Sequence, residues 1–210
     1  MEQLPLVMIS LFLTCVSMSA ILFMAWRALG GERHALTWSI AFAVSSVQWA
    51  FNVAWETGWL TNNEMYLVIV NLAGSLTPVL GVAGYRQRAK KHIYLPLMSG
   101  IVLAAWGTSL WFAFLQPHAG ISHGVLPITA ACMFLWTAWI LYNVAHDKRS
   151  IEWASVAGYL LFTFVEASIA GFALIQGAEF DAGVMAQYQT IFFVTRPTLV
   201  VVLGLLALSI

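Results

Sequence analysis

The stretch QTIFFVTRPTLVVVLGLLALSI, residues 189–210, decides the fold class. It is about as long as the roughly 20 apolar residues a helix needs to cross a hydrocarbon core, yet it carries Arg196 and Pro197 within that run. The rest of the chain has the same character. Of its 210 residues 61% are hydrophobic and only 9% charged, with a mean hydropathy of +0.84. A soluble domain carries roughly 25% charged residues, so the deficit defines an integral membrane protein.

Working outward from residues 189–210, further runs of spanning length fall near 5–26, 36–59, 65–85, 93–115, 125–145 and 153–176, with the last near 187–209. The expectation is an all-α, single-domain bundle of seven transmembrane helices over residues 1–210, with short connections that make consecutive helices antiparallel. The first run lacks the basic leader of a cleavable signal peptide and reads as a retained span. Cys15 and Cys132 sit inside apolar runs and read as small hydrophobes rather than a disulfide.

Eight of the nine basic residues fall in alternate loops: Arg27 and Arg33, then Arg86, Arg88, Lys90 and Lys91 in GYRQRAKKH, then Lys148 and Arg149. The other loops and the N-terminus hold Glu2, Glu64, Glu179 and Asp181 and no Lys or Arg. The positive-inside rule then places the N-terminus outside and the C-terminus in the cytoplasm. Trp26, Trp59 and Trp153 lie near span ends, where aromatic anchors belong.

A charge inside a span costs about 2.5–3.5 kcal/mol near the centre on insertion scales, and it persists when paired or when it faces a cavity. Arg196 and Glu166 lie about 15 Å deep on sequential antiparallel spans at 1.5 Å per residue, which predicts a Glu166–Arg196 ion pair. Either a structural staple or a ligand-responsive switch fits that pair. On the second span Gln48, Asn52 and Glu56 recur every fourth residue and share one stripe. Asn71 lies on the third span at a depth close to that of Asn52, with Ser75 a turn deeper, and Gln189 shares the face of Arg196. Together these predict a polar ligand pocket in the outer half of the bundle, walled by Trp49, Trp55, Phe192 and Phe193. Hydrogen-bond glue between helices, worth about 0.6 kcal/mol per polar residue, is the plainer account of the same residues.

Several chemistries are excluded or disfavoured. A retinal Schiff base needs a buried lysine amine, and Lys90, Lys91 and Lys148 all fall in loops. Facing intramembrane histidines for haem are missing from the pattern. His118 and His123, in the loop QPHAGISHG, are too few for a metal site on their own. No nucleophile–base arrangement, phosphate-binding glycine loop or carboxylate pair emerges. Neither enzymatic activity nor a cofactor, a metal or a nucleic-acid partner is therefore expected. A small seven-span transporter or a free-standing membrane ligand-binding protein is the alternative, with GSLTPVLG in the third span and TRPT in the seventh at corresponding places in two halves pointing to transport.

Four segments carry a family likeness: RHALTWSIAFAVSSVQWAF (33–51), LVIVNLAGSLTPVLGVAGYRQRAKK (67–91), DKRSIEWASVAGYLLF (147–162) and RPTLVVVLGLLALSI (196–210). They resemble the seven-span membrane sensor domains that precede GGDEF-type diguanylate cyclase domains in bacterial signalling proteins. The resemblance implies a sensory input domain in the bacterial inner membrane. It also implies a homodimer, and a relay through the last helix into a cytoplasmic output domain following Ile210, which this sequence does not contain. A small molecule or a lipid is the expected ligand, and the family supplies no further identity for it.

Overall fold

A computed structural model describes residues 3–28, 30–144 and 150–209. They form α1 (Gln3–Ala28), α2 (Arg33–Glu56), α3 (Asn63–Arg88), α4 (Leu95–Leu110), α5 (Ala119–Val144), α6 (Ser150–Gln176) and α7 (Ala182–Ser209). The last turn of α4 runs on as a π-helical segment, Trp111–Leu115. No strand occurs among the described residues. His146, Lys148 and Arg149 lie outside them, as does the side chain of Phe193.

Among the described residues, five segments are long and apolar enough to cross a membrane: Pro5–Ala28, Asn63–Arg88, Leu95–Leu115, Ala119–Asn143 and Trp153–Gln176. The chain is thus an all-helical bundle of multi-pass membrane character. Helices α2 and α7 both fall outside this set; in α2, Ser39, Ser45, Ser46, Gln48, Asn52 and Glu56 dilute the apolar length. The outward faces are as apolar as the interior, with Leu13, Leu103, Leu135, Leu161 and Phe164 all exposed. That pattern suits lipid as the surrounding solvent.

Local chemistry sets the helix ends. The Asn62 side chain caps α3 by accepting from the Met65 N–H at 2.8 Å, with Glu64 in the first turn favouring the helix dipole. Helix α2 stops at Gly58, whose φ of 76° takes the left-handed region that glycine enters without a Cβ penalty. The Leu60 N–H then closes on the Ala54 carbonyl at 2.9 Å. Six of the seven helices start before their apolar runs, α5 at Ala119 and α7 at Ala182 by the widest margin. In α5 the first turn is tied to the end of α6, since the Ala119 and Gly120 N–H groups donate to the Ala178 and Gly177 carbonyls.

Helices α1, α2, α3, α5, α6 and α7 close a ring in that order, and α7 returns to α1. Helix α4 stands outside the ring, packed on α3 and α5. The ring has a basic end, with Arg27, Arg33, Arg86, Arg88, Lys90 and Lys91, and an acidic end, with Glu56, Glu64, Glu179 and Asp181. Near the basic end Trp38, Tyr85, Phe134 and Tyr159 form a buried aromatic cluster, where the Tyr159 hydroxyl meets that of Tyr85 at 2.8 Å. Gly84 has no space for a Cβ because the Trp38 indole lies against it. Arg86 is turned inward, its Nε donating to the His92 carbonyl at 2.7 Å and its guanidinium held between Tyr94 and Trp136.

Candidate functional site

Six helices around one axis leave more central space than their side chains fill. The result is a cavity of about 290 Å³ along the ring axis. On α2 its lining runs from Trp38 to Glu56, a rise of about 27 Å at 1.5 Å per residue. The cavity therefore reaches well beyond the half of the bundle nearest the acidic loops, to which the sequence pattern assigns it. Its two halves differ in chemistry. Toward the acidic end it is lined by Gln48, Asn52, Glu56, Tyr66, Asn71, His123, Tyr188, Gln189 and Arg196. Toward the basic end Trp38, Phe42, Pro78, Ala130, Phe134 and Leu203 make the wall mostly apolar.

The structure brings Gln48, Asn52, Glu56, Asn71, Gln189 and Arg196 onto this one cavity, from α2, α3 and α7. Glu166 lies behind it, fully buried on α6. Arg196 Nη2 donates to Glu166 Oε2 at 2.9 Å, and Nη1 engages Oε1 of the same carboxylate, so the pair is bidentate. Phe192 covers the guanidinium face, with Cζ 4.3 Å from the ring centroid.

The carboxamides fall into two kinds. Asn52 accepts from the Tyr66 hydroxyl at 2.8 Å. The side-chain amides of Gln48, Asn71 and Gln189 have no hydrogen-bond partner among the described residues, and Asn71 is buried; the Arg196 Nε–H is likewise buried and unpartnered. Gly74 lets Gln48 lie against α3, since a Cβ there would stand 3.3 Å from its amide nitrogen. A buried amide without a partner is costly. Asn71 is buried while Gln48 and Gln189 are half-buried, and together on one cavity they define a surface that offers donors and acceptors without net charge.

Of the expected walls, Trp49 and Phe192 line the cavity and face each other with centroids 6.2 Å apart. Trp55 does not. It stacks on Tyr66 at 4.7 Å and 17°, so Tyr66 stands between it and the cavity. Ser75 is fully buried and bonds back to the Leu72 carbonyl at 3.0 Å, away from the lining. His123 is not in a loop but within α5, packed on Phe180 and Tyr188. His118 caps that helix, its Nδ1 accepting from the Ile121 N–H at 3.2 Å. No group of three or more potential metal ligands occurs among the described residues.

Two lining residues, Tyr66 and Tyr188, carry no sequence signal of their own, but the bond made by Tyr188 has one. Pro127 in α5 has no N–H to give the carbonyl four residues back, that of His123. The Tyr188 hydroxyl donates to that carbonyl at 3.1 Å and ties α7 to α5.

Comparison with protein-family models, curated proteins and solved structures finds no match to this chain.

Proposed function

We propose that this chain is a seven-span membrane signal-input domain, with its N-terminus outside and its C-terminus cytoplasmic. In this reading it binds a small molecule or lipid in the axial cavity and relays occupancy through α7 to a cytoplasmic output domain. One observation carries the binding role: three carboxamides on three helices face one cavity without a hydrogen-bond partner among the described residues. The orientation rests on the separation of basic and acidic loops, and the sensory role on the likeness described above. Relay through α7 follows from its position, since it supplies Gln189 and Arg196 to the lining while Pro197 marks a place where the helix bends readily.

Two measurements test the reading. In intact cells Asn62→Cys should react with a membrane-impermeant maleimide and Lys90→Cys should not; the reverse pattern rejects the orientation. Native mass spectrometry of the protein in lipid nanodiscs should show a bound small molecule that the Gln48→Leu/Asn71→Leu variant loses while keeping its helical ellipticity. Identical spectra from both proteins would sink the binding role. The length of the cavity favours transport as the second reading, and solute uptake into proteoliposomes would select it.

A further inference from the structure

We infer that the cavity takes an uncharged single-chain amphiphile, with its polar head among Gln48, Asn71 and Gln189 and its tail directed toward the basic end. This inference rests on the ligand-binding reading proposed above and adds the chemical class and orientation of the ligand.

The charge state follows from what is already committed. Both terminal nitrogens of Arg196 engage Glu166, and Phe192 occupies a face of the guanidinium. An anionic head could reach the Nε–H that Glu166 leaves unpartnered, but it would set a second buried negative charge against a single guanidinium already neutralised by Glu166, an uncompensated charge that weakens binding at least ~100-fold. A cationic head finds no free carboxylate in the interior among the described residues either, because Glu166 is taken and Glu56 is exposed at the mouth. The groups left over are the carboxamides and the Arg196 Nε–H, a donor that a neutral carbonyl or hydroxyl oxygen can meet. Each carboxamide supplies both a donor and an acceptor and no charge, so their complement is a neutral head bearing carbonyl or hydroxyl groups.

Orientation follows from the division of the lining. From Gln48 to Trp38 the α2 wall runs about 15 Å at 1.5 Å per residue. Over that length the cavity is bounded by Phe42, Pro78, Ala130, Phe134 and Leu203, with Ser45 engaged by Cys15 and the Thr77 and Thr137 hydroxyls bonded back to the Ala73 and Met133 carbonyls. A head anchored at Gln48 and Asn71 leaves its chain this apolar slot, ending against Trp38, Tyr85 and Tyr159. The reverse placement would set an alkyl chain against three unpaired amides and lose their hydrogen bonds.

The test uses three photoactivatable probes with the same ten-carbon chain and terminal diazirine: a glycerol monoester, a carboxylate and a trimethylammonium. Each is titrated against the wild-type protein in nanodiscs, and labelled residues are located by mass spectrometry. The glycerol ester should label α2 around residues 38–42 and α5 around residues 130–134 saturably. The carboxylate should need at least ~100-fold more probe. Gln48→Leu and Asn71→Leu should each raise the half-saturating concentration of the ester about 10-fold. Equal or tighter labelling by either charged probe overturns the chemical class while leaving the cavity reading standing. Saturable labelling near residues 185–189 overturns the orientation. Labelling by all three confined to lipid-facing residues such as Leu135 and Phe164 overturns the binding reading itself. The comparison among probes needs no variant, so it does not depend on how the substitutions fold.

Discussion

Replacing Arg196 by glutamine tests the assignment of the intramembrane ion pair. Glu166 is fully buried and the Arg196 side chain 15% exposed, so the carboxylate depends on this partner far more than the guanidinium does. Removing one member of a buried pair leaves an uncompensated charge and costs about 3–5 kcal/mol. For a chain of this size that corresponds to a fall in Tm of roughly 6–20 °C. Glu166→Gln should cost less, since Arg196 borders the cavity and keeps its contact with Phe192. The double variant removes both charges, and two carboxamides of similar shape can bond to each other. It should be more stable than the sum of the single losses by about 2 kcal/mol, within the range found for residues in direct contact. Thermal unfolding of all four proteins in one detergent or nanodisc, followed by helix ellipticity, measures the cycle. Additivity within about 0.5 kcal/mol would refute the pairing.

Other contacts give independent checks. Tyr188→Phe removes the donor to the His123 carbonyl and should cost about 1–2 kcal/mol; in a Pro127→Ala background, where the helix supplies its own N–H, the same change should cost clearly less. Gly84→Ala forces a methyl onto the Trp38 indole and should destabilise by about 1–3 kcal/mol, whereas Gly100→Ala, with open space around it, should stay within about 0.5 kcal/mol. Tyr66→Phe frees Asn52 from its hydroxyl partner at a cost of about 1 kcal/mol. Tyr66→Ala, which removes the ring on which Trp55 stacks, should also shift the intrinsic fluorescence. An unchanged spectrum would contradict the stack.

Much of this architecture is legible in the sequence because the membrane makes the signal coarse and strong. Runs of about 20 apolar residues identify helices whatever packs against them. The ends blur because polar residues in the first turns, such as His123 in α5, can continue a helix once their side chains find partners. The Glu166–Arg196 contact is legible from depth alone, since two charges at equal depth on antiparallel neighbours each need the other. The expulsion of α4 from the ring is not, because chain order does not fix spatial order when all connections are short. Tyr66 and Tyr188 escape notice for a related reason. A tyrosine in an apolar run reads as an interfacial or packing residue until its hydroxyl partner is known. A sharper reading of Pro127 would have helped, since any mid-helix proline frees a carbonyl that some donor must meet.

The inward polar face and the relay proposed for α7 have one physical origin. In lipid, carboxamides and charges have to turn toward the bundle axis, so the helices richest in them line the cavity. Helix α7 carries Gln189 and Arg196 there, and Arg196 is the partner that keeps Glu166 neutralised on α6. Any shift of α7 must therefore carry this pair along or break it, which ties the helix to α6 at mid-depth. Below that point Val200 packs with Met8, Leu11, Cys15 and Trp49, while Val202 and Leu203 pack on the aromatic cluster of Trp38, Tyr85 and Tyr159. Pro197 sits between these two attachments, and its missing N–H weakens the helix there. Under the proposed reading, a ligand that touches Gln189 acts on the segment above the bend, and the segment below it answers against the aromatic cluster. The shift it produces is set by its difference in affinity for the two arrangements and not by how tightly it binds. A ligand that contacts only α2 and α3 would then occupy the cavity without moving α7.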